Sequence, residues 1–312
     1  HAHEDHLGAV PYLWERLECP IFATPFTAAL LNSQPMGFYA PSQLVQDAAG
    51  HGVEIRAADI QLSAWDCTLE AAGPGRGMPA IRLGLRMVKG LPADAGARLV
   101  DARGPAGFID VTDLARRAAL DGGAIKALSR AGALKTLAGN RHQAGWAALA
   151  IEQPVDVIAE ARITEATPLL RQPSEGEDII ADYSSLGLTL GRHPLALLRR
   201  QLDLRHFITA EMLSRAGHGE CIRTAGLVVT RQRPGTTTGV VFVTLEDETG
   251  IINLIVWSSL VETQRRELLS SRLLGVTGEV QREGEVIHVI AKRLEDHTAL
   301  LGRLATQSRD FH

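Results

Sequence analysis

Four of the first six residues, His1, His3, Asp5 and His6, are side chains that ligate metals, set in the pattern H-x-H-x-D-H. Imidazole nitrogens and a carboxylate at that spacing suit two neighbouring zinc ions or their equivalents, which can activate a water for attack. One short loop, however, supplies neither the fixed geometry nor the supporting hydrogen bonds that make such a site catalytic. The expectation is therefore an incomplete metal site on a solvated tail, taking zinc adventitiously. Nothing else in the sequence requires a cofactor.

The second group of chemistry-bearing residues is basic and interleaved with glycine. Residues 81–146 hold eleven Lys and Arg against five Asp and Glu, a net charge of +6, whereas residues 1–80 carry −6 and residues 147–221 carry −4. The overall charge of −4 hides this segregation. Within the basic segment, residues 81–88 predict a short helix that runs into Lys89-Gly90-Leu91-Pro92, with a second helix over 97–103. Asp113 to Arg117, then Ile125-Lys126-Ala127-Leu128 and Arg130-Ala131-Gly132-Ala133-Leu134, outline another such unit. Two short helices joined by a small-residue turn make a helix-hairpin-helix, in which glycine lets backbone N–H groups approach a phosphate and nearby cations add charge. A glycine ending a helix is more often only a C-cap, so either turn alone would carry little; two in tandem within the basic stretch point to DNA. The candidate contacts are Lys89, Gly90, Arg116, Arg117, Lys126 and Gly132, with Arg231 and Arg233 as lesser ones further on.

The elements that must position these residues are clearest in the C-terminal third. Runs rich in Val, Ile, Phe and Thr predict strands over 222–231, 240–246 and 251–257, with the turn residues of Asp247-Glu248-Thr249-Gly250 between the last two. Residues 258–271 switch to helical spacing, and period two returns over 274–281 and 286–293. Three strands, a helix and two strands is the order of a five-stranded OB-fold β-barrel. The fold class expected is α+β, a helical helix-hairpin-helix region followed by that barrel. Such barrels bind single strands on basic and aromatic groups, but from Ile222 onward eleven basic groups face eleven acidic ones. The aromatic candidates Phe242 and Trp257 lie in apolar runs and are expected to be buried. A protein-docking role for the barrel competes on that ground.

With 312 residues and 45% apolar content the chain can form two or three domains. Cys19, Cys67 and Cys221 are odd in number and widely spaced, which argues against a disulfide framework. No apolar run approaches the roughly 18 residues of a membrane span, and no basic leader precedes an apolar stretch, so a cytoplasmic location is expected. Residues 164–178 read as a linker by composition. Asp182 and His193 invite a catalytic reading, but packing is preferred, with Pro194 opening a helix at its first position.

Two resemblances follow. His1 to His6, with Leu7-Gly8-Ala9-Val10-Pro11-Tyr12-Leu13 and Pro20-Ile21-Phe22-Ala23-Thr24-Pro25-Phe26, resembles metallo-β-lactamase-fold hydrolases, the ribonuclease J group in particular. That resemblance implies that His1 and His3 hold one metal, Asp5 and His6 the other, and that Asp5 orients the water; it stops near Leu31. From there Asn32-Ser33-Gln34-Pro35-Met36-Gly37-Phe38-Tyr39, Arg231-Gln232-Arg233-Pro234-Gly235, Leu245-Glu246-Asp247-Glu248-Thr249-Gly250 and Arg309-Asp310-Phe311-His312 resemble bacterial C-family DNA polymerases, most of all the error-prone type.

The second resemblance implies the C-terminal portion of an enzyme that extends primers with two Mg2+ ions, including across damaged template. It also implies that the metal-holding palm carboxylates lie upstream, so these residues alone extend nothing. Implied partners are duplex DNA, single-stranded template and other replication or translesion proteins, with no membrane. The expected division is 1–31 hydrolase-like fragment, 32–80 end of a fingers-like region, 81–160 tandem hairpins, 161–221 linker and helical connector, 222–296 barrel and 297–312 tail. A metal-dependent hydrolase and a protein-docking module remain the alternatives.

Overall fold

A computed structural model describes residues 23–35, 40–73, 77–150, 170–233, 239–284, 286–302 and 309–310. The chain divides into two compact units, His1–Ser174 with Ala181–Leu190, and Glu175–Ile180 with Gly191–His312.

The first unit is organised around one apolar core whose members run from Ala28 and Leu31 to Leu186 and Leu188. Helix Ala23–Asn32 contributes the first of these. Asn32 ends it with a two-way clamp, its Nδ2 donating to Cys67 O at 3.0 Å and its Oδ1 accepting from Cys67 N at 2.7 Å. The expected boundary at 31/32 therefore falls at the end of a helix packed into this core. Helix Pro41–Gly50 leads to a small sheet of β1 (Ile55–Arg56), β2 (Thr68–Glu70) and β3 (Ala80–Arg82), in the order β1-β3-β2. β3 spans the expected boundary at 80/81, and the segments on either side share the core.

The helix expected over 81–88 does not form. Ile81, Leu83 and Leu85 are all fully buried, a two-residue repeat that suits extended chain, and only a single 3-10 turn, Leu85–Met87, follows β3. The helices beyond are Ala93–Arg103, Val111–Arg117, Gly122–Arg130, Lys135–Ala138 and Arg141–Ala150. Asp110 and Asp121 cap two of them, each accepting a backbone N–H three residues on at 2.7 Å. Helix Glu175–Ser185 starts inside the expected linker, with Glu175, Glu177 and Asp178 in its first turn, where the exposed N–H groups favour negative charge.

The second unit is a closed five-stranded barrel with short helices. β4 (Cys221–Gln232), β5 (Val241–Glu246), β6 (Ile251–Val256), β7 (Leu273–Glu283) and β8 (Val286–Asp296) run in the order β5-β6-β8-β7-β4, and β4 closes the ring by pairing β5. This is the order the sequence predicts for an OB-fold. β4 serves two neighbours because it bends: residues 221–227 pair β7 and residues 227–232 pair β5, with a register shift at Val228/Thr230. Gly226 sits at that bend, where a β-carbon would stand 2.7 Å from Leu245 Cβ and 3.0 Å from Glu246 O.

Between β6 and β7 the expected helix is split into Ser258–Thr263 and Arg265–Ser270. The break falls at Gln264, whose amide bonds both the N–H and the carbonyl of Leu294 at 2.9 Å. Helix Pro194–Asp203 begins at Pro194 as the sequence predicts, capped by His193 Nδ1, which accepts from Leu195 N at 3.2 Å. The turn between β5 and β6 is a clamp: Asp247 accepts from Ala210 N at 2.7 Å, Thr249 N at 2.7 Å and Gly250 N at 3.0 Å. Glu248 binds Arg199 through both carboxylate oxygens. Two residues of the tail, β9 (Arg309–Asp310), run parallel to β4 at Thr230 and Arg231.

Candidate nucleic-acid interface

In the first unit both tip glycines sit in turns, although the helix expected before Gly90 is a strand and a single 3-10 turn. Gly90 and Gly132 have φ of +84° and +73°, in the left-handed region that a side chain rarely adopts. A β-carbon on Gly90 would meet only Ala127 Cβ, at 4.0 Å, so the first tip stands open beside the helix that carries Lys126. Gly132 is different. A β-carbon there would stand 2.9 Å from Arg141 Nη2, because the Arg141 guanidinium lies over the turn. Arg141 is buried, donates to Arg130 O at 3.0 Å and Ala131 O at 3.4 Å, and pairs with Asp182. Asp182 also accepts from Thr189 Oγ1 at 2.6 Å, which makes it a packing residue, not a catalytic one. The second turn is thus held from inside, and Gly132 is demanded by packing.

The basic residues sort into two kinds. Lys89 donates its Nζ to Tyr183 O at 3.2 Å, at the end of helix Glu175–Ser185, and its ammonium pKa is pushed down by burial. Arg117 donates to Gly107 O at 2.7 Å, to Arg103 O at 2.8 Å and to Ala102 O, and lies 4.8 Å over the Phe108 ring. Both side chains are exposed, yet each is held by the fold, with donors on backbone carbonyls at or near the ends of helices. Arg98 does the same for Ala118 O and Ala119 O, and Arg103 reaches Ser63 O.

Arg116 and Lys126 remain turned to solvent, Arg116 with 80% of its side chain exposed. Arg130, which the sequence reading did not single out, joins them: it is exposed and lies one helical turn beyond Lys126 on the same face of Gly122–Arg130. The signal that could have found it is that four-residue spacing. Asp113, which the sequence marks only as the start of the second hairpin unit, holds Ile109 N at 3.1 Å along with Arg117 and Arg116. The Ile109 N–H, then the two guanidinium groups, draw its carboxyl below the usual range.

In the barrel, Arg231 is a correction to the expected DNA contacts. It is buried and donates to Leu268 O at 2.6 Å and to Ser271 O, closing the end of helix Arg265–Ser270. Arg233 is exposed, as a contact requires. The aromatic expectation is overturned too, since Trp257 is 52% exposed. Along β5 the burial alternates, Val241, Val243 and Leu245 inward, so Phe242 lies on the outer face. Strand pairing sets Phe242 beside Ile255 and Ile290, and sets Thr244 beside Asn253 and His288. These two rows across β5, β6 and β8 contain apolar groups next to hydrogen-bonding groups and no lysine or arginine. His288 Nδ1 is buried with no hydrogen-bond partner among the described residues. A surface of this kind can take unstacked bases on its apolar row and their edges on its polar row, with little attraction for phosphates.

His1, His3, Asp5 and His6 lie outside the described residues. Among the described residues no group of three or more His, Cys, Asp or Glu could hold a metal ion, and no helix is long and apolar enough to cross a membrane.

Comparison with known proteins agrees with this division. Residues 52–144 match the helix-hairpin-helix motif family, and residues 222–296 match the OB-fold nucleic acid binding domain. The first match starts well before the basic segment and includes the small sheet. Over 92% of its length the chain is 56% identical to the error-prone DNA polymerase of Alkalilimnicola ehrlichii and 54% identical to that of Aromatoleum aromaticum. The polymerase of the same name from Ralstonia nicotianae is 49% identical over 100% of the chain. The chain spans 28%, 27% and 29% of the lengths of these three relatives.

Proposed function

We propose that this chain is the DNA-binding C-terminal portion of a bacterial error-prone DNA polymerase, the hairpin unit holding duplex by its phosphates and the barrel holding single-stranded template by its bases. The observation that carries the reading is the identity of 56% over 92% of the chain with a protein of that name, on residues that fold into two nucleic-acid-binding architectures. In this reading the exposed cations Arg116, Lys126 and Arg130 face phosphates and the open Gly90 tip lets backbone approach them. The outer rows of β5, β6 and β8 receive the strand beyond the duplex. Damage-induced synthesis, replication partners and a cytoplasmic location belong to the same proposal. So does the expectation that no cofactor is required, since the reading gives these residues binding alone.

The test is fluorescence anisotropy of the 312-residue chain with a blunt duplex, a single strand and a primer–template junction of equal nucleotide count. The junction should bind tighter than either simple strand, because it alone engages both surfaces. Equal affinity for all three, or no binding at near-physiological salt, would overturn the proposal.

A further inference from the structure

Among the described residues the most exposed large apolar side chain is Ile109, at 83%. Exposed isoleucines are ordinary on mobile loops, but this one is held in place. Gln61, 47 residues earlier, grips the backbone of Phe108 from both sides, accepting from its N–H at 2.9 Å and donating to its carbonyl at 2.6 Å. Phe108 itself is buried with Arg117 over its ring. Arg117 Nη1 donates to Gly107 O at 2.7 Å, and Asp113 accepts from Ile109 N at 3.1 Å. Four hydrogen bonds and a buried ring thus fix the residues around an isoleucine that faces water. The other oxygen of the same Asp113 carboxylate meets the exposed Arg116 guanidinium at 3.4 Å, so one carboxylate ties the Ile109 backbone and Arg116.

We propose that Ile109 and Arg116 form one duplex-contact tip, the isoleucine packing against sugars and base edges in the minor groove and Arg116 taking a flanking phosphate. The inference rests on the duplex-binding reading above. Minor-groove proteins use apolar side chains in this way, beside cations that hold the backbone. The surrounding charge fits that partner, since the same unit presents the exposed cations Lys126 and Arg130 on one face of Gly122–Arg130. Gln61 is a positioning residue in this arrangement.

The experiment compares wild type, Ile109→Ala, Arg116→Ala and Gln61→Ala as full chains, by anisotropy with a labelled duplex over a range of salt concentrations. Ile109→Ala should weaken duplex binding about tenfold at every salt concentration with the salt slope unchanged, since it removes buried apolar surface and no charge. Arg116→Ala should flatten the slope by about one. Gln61→Ala should reproduce part of the Ile109→Ala loss. Thermal unfolding of Ile109→Ala should match wild type, since the side chain is exposed. If Ile109→Ala binds duplex as wild type does, or loses equally on a single strand, the tip is not a minor-groove contact. If wild type itself does not bind duplex, the underlying reading fails instead.

Discussion

The sorting of basic residues makes a quantitative prediction about salt. Binding to duplex DNA releases about 0.9 counterions for each phosphate a cation neutralises, and that number is the slope of log K against log salt. Arg116, Lys126 and Arg130 are exposed and hold no helix end; Lys89 and Arg117 are exposed too but, like the buried Arg141 and Arg231, have donors on backbone carbonyls. The triple substitution Arg116→Ala, Lys126→Ala, Arg130→Ala should therefore flatten the slope by about 2.5, three cations at up to 0.9 each. Its unfolding midpoint should barely move, because exposed charges contribute little. Arg231→Met should do the reverse. It leaves Leu268 O and Ser271 O without their donor inside the barrel, which costs about 3 kcal/mol at the usual worth of charged hydrogen bonds, and it should leave the slope alone. Anisotropy titrations over several salt concentrations, paired with urea unfolding, read both quantities. A slope that flattens with Arg231→Met and not with the triple variant would refute the sorting of these cations into structural and binding groups.

Three further outcomes follow from the same structure. Arg141→Met should destabilise the first unit by about 2–3 kcal/mol in urea unfolding, since it leaves the half-buried Asp182 carboxylate with the Thr189 hydroxyl but without its guanidinium and removes the donors to Arg130 O and Ala131 O. Phe242→Ala should weaken single-strand binding about tenfold, the worth of one stacked base, without changing its salt slope or the affinity for blunt duplex. Glu70 is held below its usual 4.5, first by the Arg82 hydrogen bonds and also by Arg56, against a smaller opposing push from burial. A carboxylate depressed in the fold stabilises above its unfolded value and loses that contribution as pH falls through its folded value. Glu70→Gln should thus be less stable than wild type at neutral pH, with the difference closing as pH drops below 4.5.

The barrel was legible because its signals are local. Period-two burial along β5 and β6, turn residues at Asp247 and Gly250, and helical spacing over 258–271 between β6 and β7 all lie within a few residues of what they decide. Phe242 was misjudged within that frame. Its neighbours Val241 and Val243 make an apolar run, but in a two-residue repeat such a run must place one member outward. The helix expected over 81–88 failed for a related reason, as Ile81, Leu83 and Leu85 repeat every two residues and not every three or four. The glycine tips could be found because the left-handed backbone demands glycine whatever lies around it. That Gly132 supports a buried arginine could not, since Asp182, which fixes that arginine, is 41 residues from it in sequence.

The role of an arginine is the least local property here, and it explains why a charge count overstates the DNA footprint. The helices of this chain are short, so a large share of their carbonyls are terminal and lack partners within the helix. Arginines from distant segments fill many of these ends: Arg98 at the end of Val111–Arg117, Arg117 at the end of Ala93–Arg103 and Arg141 at the end of Gly122–Arg130. In the barrel unit Arg231 does so for Arg265–Ser270, and Arg282 donates to Ala216 O at 3.0 Å and to Ser214 O beyond Ala210–Ser214. A guanidinium suits this task because it carries several donors in a fixed plane and a charge that the negative helix end favours. Lysine has fewer fixed donors and serves less often, with Lys89 as the exception. Much of the +6 of residues 81–146 is therefore structural charge, and in the proposed reading the phosphate contacts fall to exposed cations that hold no helix end, Arg116, Lys126 and Arg130 among them.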